Sequence, residues 1–179
     1  NIWYTATGIG KIGYIDPNEG KITQYSKEIP LDGPEFLLFD KNENVWIAEH
    51  TGMAITKFNP TLQTFEKISV PDEESLPFGM TFDRYGNIWF AQHVIDSIGV
   101  YDPDNNDLKE VPISTEGSFI QFMTSDKNGK VWFVEQEGNK LGTVNVIEIP
   151  VNVSQVKTID SAEIKYTEIA SPLIALGII

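Results

Sequence analysis

Four tryptophans recur at one fixed interval along the chain, and this spacing constrains the fold more than any other feature. Trp3, Trp46, Trp89 and Trp132 follow one another at steps of 43 residues. Their neighbours repeat too, because Asn-Ile or Asn-Val precedes the first three and Lys130-Val131 precedes the fourth. A constant period of this length indicates a repeat protein, in which each copy forms one structural unit packed against the next.

Turn-forming residues repeat in step with the tryptophans. An aspartate lies six residues before the tryptophan in three copies, and an Asp-Pro or Asn-Pro pair follows it by thirteen residues in three. Runs of β-branched and aromatic residues separate these turns. In the third copy the predicted strands are Gly79–Phe82, Ile88–Ala91, Ile98–Tyr101 and Leu108–Val111. Four strands per copy predict an all-β β-propeller of four-stranded blades, with tryptophans packed between blades and aspartates in turns.

The repeat also sets the expected domain boundaries. Residues 1–146 are expected to form the propeller blades, the first of them incomplete, and residues 147–168 a linker or closing strands. The apolar segment 169–179 is expected to be either a closing strand or the start of a membrane anchor, since it is about half as long as a membrane span. In the first case Pro172–Leu176 would close a four-bladed ring. In the second, the chain would be part of a larger ring tethered to a membrane.

Composition excludes several function classes. The chain has 13 Lys and Arg against 26 Asp and Glu, so its net charge of −13 would repel a phosphate backbone and argues against a nucleic-acid partner. It has no cysteine, which excludes disulfides, thiolate metal sites and cysteine nucleophiles. It also lacks Gly-x-Ser-x-Gly, a phosphate-binding loop and His-Glu-x-x-His. A sequon, Asn152-Val153-Ser154, is compatible with an extracytoplasmic location.

The blade pattern resembles that of the virginiamycin B lyase (streptogramin lyase) family. The clearest copy contains Pro77-Phe78-Gly79, Trp89-Phe90, Ile98-Gly99 and Asp102-Pro103, and the resemblance covers about residues 1–145. It implies a seven-bladed ring, of which this chain would form a part. It also implies an enzyme that uses Mg²⁺ to open a lactone ring by elimination.

The resemblance further implies where the site residues lie. A catalytic histidine is expected in a Pro-His-Gly position that opens a blade, and a metal-binding glutamate is expected just after the tryptophan strand. The histidine position falls on Glu35, Phe78 and Gln121, so none of the three copies carries it. Glu35 and Gln121 are therefore candidates for ligand binding.

Polar residues follow the tryptophan strands, at the end of the blade where this site is expected. The chain's two histidines, His50 and His93, hold the same repeat position, so propeller symmetry predicts that they face one shared pocket. Imidazole is a common base and metal ligand, which makes both histidines candidate catalytic residues. Alternatively His50, which shares a strand face with Trp46, completes the packing between blades.

Four more residues at these strand ends are candidates for the site. Their side chains offer carboxylate or amide oxygens, and carboxylates are ligands that Mg²⁺ prefers. The candidate metal ligands are Glu49 and Glu135, and the further candidate ligand-binding residues are Gln92 and Gln136.

These features favour an extracytoplasmic propeller, secreted or membrane-anchored, that binds or scaffolds a protein partner. The alternative is a metal-dependent lyase or lactonase-like enzyme acting on a cyclic ester, with Mg²⁺ as its possible cofactor. A structural role in a larger assembly is a third interpretation, because an incomplete ring leaves an exposed sheet edge that needs cover.

Overall fold

The computed structural model describes residues 1–146 and the backbone of residues 162–168. These residues form β-strands and one 3₁₀ turn, Thr7–Ile9, without an α-helix among them. The strands are β1 Ile2–Ala6, β2 Lys11–Ile15, β3 Ile22–Tyr25, β4 Pro34–Phe39, β5 Val45–Glu49, β6 Ala54–Asn59, β7 Thr64–Ser69, β8 Pro77–Phe82, β9 Ile88–Gln92, β10 Ser97–Asp102, β11 Asp107–Pro112, β12 Ile120–Ser125, β13 Val131–Glu135, β14 Lys140–Val146 and β15 Ala162–Glu168. Within the described residues, no helix is long and apolar enough to cross a membrane.

The strands form four antiparallel sheets in which chain neighbours pair. The first sheet contains β1–β3, and the second, third and fourth contain β4–β7, β8–β11 and β12–β15. All four strands predicted for the third copy are present, so the all-β class and the four-stranded blade are confirmed. The number of blades in the ring stays a prediction.

The segment after the repeat is described only in part. Strand β15 pairs along the whole of β14 and completes the fourth sheet. The sequon, the apolar segment 169–179 and the proposed closing strand Pro172–Leu176 lie outside the described residues. The predicted domain boundaries therefore stay predictions.

The first strands of successive sheets pack side by side, so that β8 lies between β4 and β12. The approach of β8 to β12 is close enough to require a glycine. A Cβ atom on Gly79 would lie 2.5 Å from the carbonyl oxygen of Gln121, inside van der Waals contact. The residues that open each blade are thereby brought to one end of the propeller.

Apolar side chains fill the spaces between neighbouring sheets. Trp46 packs between the second and third sheets and Trp89 between the third and fourth, both almost completely buried. Trp3 and Trp132 are half-buried. The predicted packing role of the tryptophans is confirmed for the two central copies.

The repeated aspartates connect each turn to its tryptophan. The indole Nε1 of Trp46, Trp89 and Trp132 donates to Asp40, Asp83 and Asp126 at 3.1, 2.9 and 3.1 Å, respectively. Each aspartate also accepts backbone N–H bonds from its own turn. The hydrogen bond from Trp132, followed by those from the turn, holds the pKa of Asp126 below its usual value. The predicted role of these aspartates in the turns is confirmed. Their hydrogen bonds to the tryptophan side chains were not predicted from the sequence.

Candidate functional site

The candidate site lies where the tryptophan strands end and the first strands of the blades begin. Strands β5, β9 and β13 run toward this end, and the turns that contain the repeated aspartates lie at the opposite end. His50 and His93 come directly after β5 and β9, and Glu35 and Phe78 lie near the starts of β4 and β8. The propeller therefore gathers side chains from separate copies at one surface.

The two histidines contact each other. His50 Nε2 and His93 Nδ1 lie 3.1 Å apart, which is hydrogen-bond distance, and the two rings are nearly perpendicular, at 85°. One nitrogen donates and the other accepts, according to the tautomers of the two rings. The two histidines therefore lie together, as propeller symmetry predicts.

Phenylalanine side chains enclose the histidine pair. The ring of His93 stacks with Phe78, at a centroid distance of 5.0 Å, and with Phe119, at 4.2 Å. His50 makes an edge contact with the same Phe78 at 5.9 Å. Phe122, which is half exposed, extends the group by an edge contact with Phe78 at 5.5 Å. The histidines thus contact each other and also pack against rings from neighbouring sheets. Their catalytic role stays a prediction.

Burial keeps the histidines neutral near neutral pH. It lowers the pKa of His93, and the charge of His50 lowers the same pKa further. Burial also lowers the pKa of His50, against an opposite effect from the carboxylate of Glu35. His93 is 8 % exposed, and its Nε2 atom is buried without a hydrogen-bond partner among the described residues. The pair therefore offers unprotonated imidazole nitrogens at neutral pH.

Phe119 is a site residue that the sequence reasoning missed. It holds the repeat position of Gly33 and Leu76, and all three have left-handed backbones, with φ of 62°, 43° and 50° along the chain. Glycine adopts this conformation without strain, but a bulky side chain rarely does. A phenylalanine in place of the glycine of an earlier copy is the signal that could have found it, because strained residues cluster at functional sites.

The other predicted ligand-binding residues lie around this group. Glu35 and Gln136 are exposed and Gln121 is half-buried. The backbone N–H of Gln136 donates to the carbonyl of Phe119 at 3.2 Å, which ties the end of β13 to the loop beside His93. A ligand-binding role for these three residues stays a prediction.

Glu49 and Gln92 are buried and have partners within their own sheets. Glu49 accepts bonds from the backbone N–H of Asp32 at 2.8 Å and from the Thr56 hydroxyl, and its carboxylate lies 3.8 Å from Lys67 Nζ. Gln92 accepts from the Ser97 hydroxyl and donates to Glu110 at 2.6 Å. Strand alternation places both side chains on the opposite face from the histidines that follow them.

Glu135 holds the same repeat position but lacks such partners. It is 1 % exposed, and neither carboxylate oxygen has a hydrogen-bond partner among the described residues. The position that supplies the Thr56 hydroxyl to Glu49 is Gly142 in this copy, so no side-chain donor comes from it. A buried carboxylate without donors is unfavourable for folding, because its desolvation is not compensated.

Comparison with known protein families shows to which family this chain belongs. A profile of the Virginiamycin B lyase family matches residues 1–168. The chain belongs to this family. The resemblance carried by the blade pattern is thereby confirmed. A search of curated proteins finds no significant match.

Solved structures from the virginiamycin B lyase family share the fold. Virginiamycin B lyase from Staphylococcus aureus is 25% identical, covering 95% of this chain and 52% of that one, with a TM-score of 0.79. A streptogramin B lyase is 27% identical over 95% and 51% of the two chains, with a TM-score of 0.80. A catalytically inactive variant of the S. aureus enzyme with quinupristin is 24% identical over 95% and 52%, again with 0.80. This chain thus spans about half the length of these lyases.

The Mg²⁺ implied by the resemblance to these lyases finds no complete oxygen set among the described residues. Mg²⁺ prefers octahedral coordination by oxygen ligands. Both oxygens of Glu49 already accept hydrogen bonds, from Asp32 and Thr56, and neither oxygen of Glu135 has a hydrogen-bond partner among the described residues. No three His, Asp or Glu side chains of the described residues come together in a way that could hold a metal ion. The assignment of Glu49 and Glu135 as metal ligands stays a prediction.

The lone position of Glu135 gives a prediction about stability. We expect Glu135→Gln to raise the free energy of unfolding at pH 7 by about 1 kcal/mol, because an amide loses less on burial than a carboxylate without donors. Gln92 shows that glutamine fits this repeat position. Glu49→Gln is the matched control and should lower the free energy of unfolding, because Glu49 has donors. Urea denaturation measures both changes, and a destabilised Glu135→Gln would contradict the argument.

Proposed function

We propose that this chain supplies the ligand-binding face of an extracytoplasmic propeller that binds or scaffolds rather than cleaves. The proposal is carried by the group of rings formed by His50, His93, Phe78 and Phe119 at one end of the blades. Aromatic and imidazole rings give a ligand a large contact area together with a few hydrogen-bonding atoms. The histidine position implied by the family is Glu35, Phe78 or Gln121 here, which favours binding over elimination.

The proposed location and partners rest on the sequence. The sequon and the apolar segment 169–179 support an extracytoplasmic protein, secreted or tethered to a membrane. The acidic net charge of −13 favours a protein or small-molecule partner over a nucleic acid.

Titration with quinupristin, the compound in the similar S. aureus structure, tests the binding function. We expect calorimetry to detect binding, and chromatography to return the compound intact. His50→Ala and Phe78→Ala should each weaken binding about tenfold or more, which corresponds to a loss of about 1.4 kcal/mol. Tyr85→Ala is the control because Tyr85 lies in a turn at the opposite end of the third sheet. This variant should bind quinupristin with the affinity of the wild type.

Two results would contradict the binding function. One is an absence of binding by the wild-type chain. The other is an equal loss of affinity in Tyr85→Ala, His50→Ala and Phe78→Ala, because such a loss would place the compound away from the ring group.

The histidine pair favours a second candidate, a lyase or lactonase-like enzyme acting on a cyclic ester. A neutral His50 can accept a proton, and its contact with His93 holds its ring in one orientation. Elimination would open the ring without a change in mass, and hydrolysis would add one water. Chromatography with mass spectrometry distinguishes both products from intact quinupristin, and loss of the product in His50→Ala would support the enzyme.

A further inference from the structure

The separation of the two imidazole nitrogens suits two ligands of a single metal ion. His50 Nε2 and His93 Nδ1 lie 3.1 Å apart. Histidine nitrogens bind Zn²⁺ at about 2.0–2.1 Å, which places two ligands roughly 2.9 Å apart at a right angle and roughly 3.4 Å apart at a tetrahedral angle. The observed separation lies between these two values. The ring whose nitrogen donates must first carry its proton on its other nitrogen, and both nitrogens can then turn a lone pair toward the ion.

We propose that His50 and His93 form a two-histidine site for a divalent transition-metal ion such as Zn²⁺, Ni²⁺ or Cu²⁺. Imidazole suits these ions, whereas Mg²⁺ prefers oxygen ligands that the described residues do not bring together. Because no third His, Asp or Glu of the described residues joins the pair, water or a bound ligand completes the coordination. The site is therefore open and selects nitrogen-preferring ions.

Both histidines are available as ligands at neutral pH. Burial keeps their rings unprotonated, and the carboxylate of Glu35 favours positive charge near His50. Coordination through His50 Nε2 leaves the proton of that ring on Nδ1, and coordination through His93 Nδ1 leaves the other on Nε2. No proton has to leave the neutral pair. Because burial lowers the pKa of both histidines, protons compete with the ion only below the usual pKa range of histidine, and affinity falls there.

The rings around His93 hold one ligand in place before an ion arrives. Phe78 and Phe119 both stack on its imidazole, at 5.0 and 4.2 Å, so the ring has little freedom to turn away. His50 is less buried and makes most of the adjustment. A preorganised ligand raises affinity because less conformational freedom is lost on binding.

Nuclear magnetic resonance of the whole chain tests the site, since the sequence contains only two histidines. The spectrum of His50→Ala assigns each imidazole signal. On addition of Zn²⁺ we expect both signals of the wild type to shift together and to saturate at one ion per chain. Mg²⁺ at the same concentration should shift neither. Calorimetry should place the affinity for Cu²⁺ above those for Ni²⁺ and Zn²⁺, in the Irving–Williams order.

Substitutions at and away from the histidine pair complete the test of the metal site. His50→Ala should weaken Zn²⁺ binding at least tenfold, whereas Tyr85→Ala, in the turn at the opposite end of the third sheet, should bind as the wild type does. A shift of only one imidazole, of neither, or undiminished binding by His50→Ala would overturn the proposal. Zn²⁺ binding by His93→Ala provides a second measurement, provided that circular dichroism shows this variant to be folded. These titrations contain no quinupristin, so the metal site and the proposed ligand function can fail separately.

Discussion

Asp83→Ala should lower the free energy of unfolding by about 3–5 kcal/mol. The Asp83 carboxylate accepts bonds from the backbone of Tyr85 and Asn87, from the Asn87 side chain, and from Trp89 Nε1, all between 2.8 and 3.0 Å. Asp83, Asn87 and Trp89 are all buried, so water cannot replace the lost acceptor. Several donors would be left without a partner at once. Urea denaturation of the wild type and the variant gives the difference.

The same substitution in another copy provides a matched control. Asp126 accepts from the backbones of Asn128 and Lys130 and from Trp132 Nε1, but this turn is partly exposed. Water can solvate most of these donors, so Asp126→Ala should lower the free energy of unfolding by much less than Asp83→Ala does. Equal effects at Asp83 and Asp126 would show that burial does not determine the contribution of the aspartate.

The repeat explains why so much of the architecture could be predicted from the sequence. A period that places Trp46 and Trp89 in equivalent blades also places His50 and His93 in equivalent positions. Adjacent blades differ by a rotation, which carries the end of one tryptophan strand next to the end of the following one. The contact between the two histidines therefore follows from spacing, although the 3.1 Å distance does not.

Features that differ between copies could not be predicted in the same way. Glu49 and Glu135 are identical residues at equivalent positions, but within the part of the chain that the structure describes only Glu49 has hydrogen-bond partners. The difference comes from a separate strand, where Thr56 in one copy becomes Gly142 in another. Phe119 was missed because its side chain reaches His93 from a loop with a left-handed backbone, and strand alternation does not describe such a loop.

Glycines opposite aromatic residues explain the Thr56 to Gly142 exchange. Gly99 pairs with Phe90, and the phenyl ring covers it so closely that a Cβ would lie 1.9 Å from Phe90 Cζ. Gly142 is covered in the same way by Phe133, at 2.1 Å. In the second sheet the equivalent pair is Thr56 and Ile47, which leaves space for a side chain. A blade thus combines either glycine with an aromatic ring or a larger residue with isoleucine.

This pairing predicts a strong coupling between the two positions. Gly99→Ala alone should lower the free energy of unfolding by about 3 kcal/mol, because the Phe90 ring must leave its place in the core. Phe90→Ile alone should lower it by about 2 kcal/mol through the cavity it leaves. In the double variant the new methyl group occupies part of that cavity. Its free energy of unfolding should therefore exceed that of Gly99→Ala alone.

A double-mutant cycle measured by urea denaturation gives the coupling, which we expect to be about 3 kcal/mol in favour of the double variant. Gly86→Ala is the control for the glycine itself, because nothing lies within 4 Å of a Cβ at that position. Its backbone has φ of 91°, so any loss there reflects backbone strain and should not change when Phe90→Ile is added. Strictly additive effects of Gly99→Ala and Phe90→Ile would mean that the ring does not rest on the glycine. The exchange between copies would then need a different physical cause.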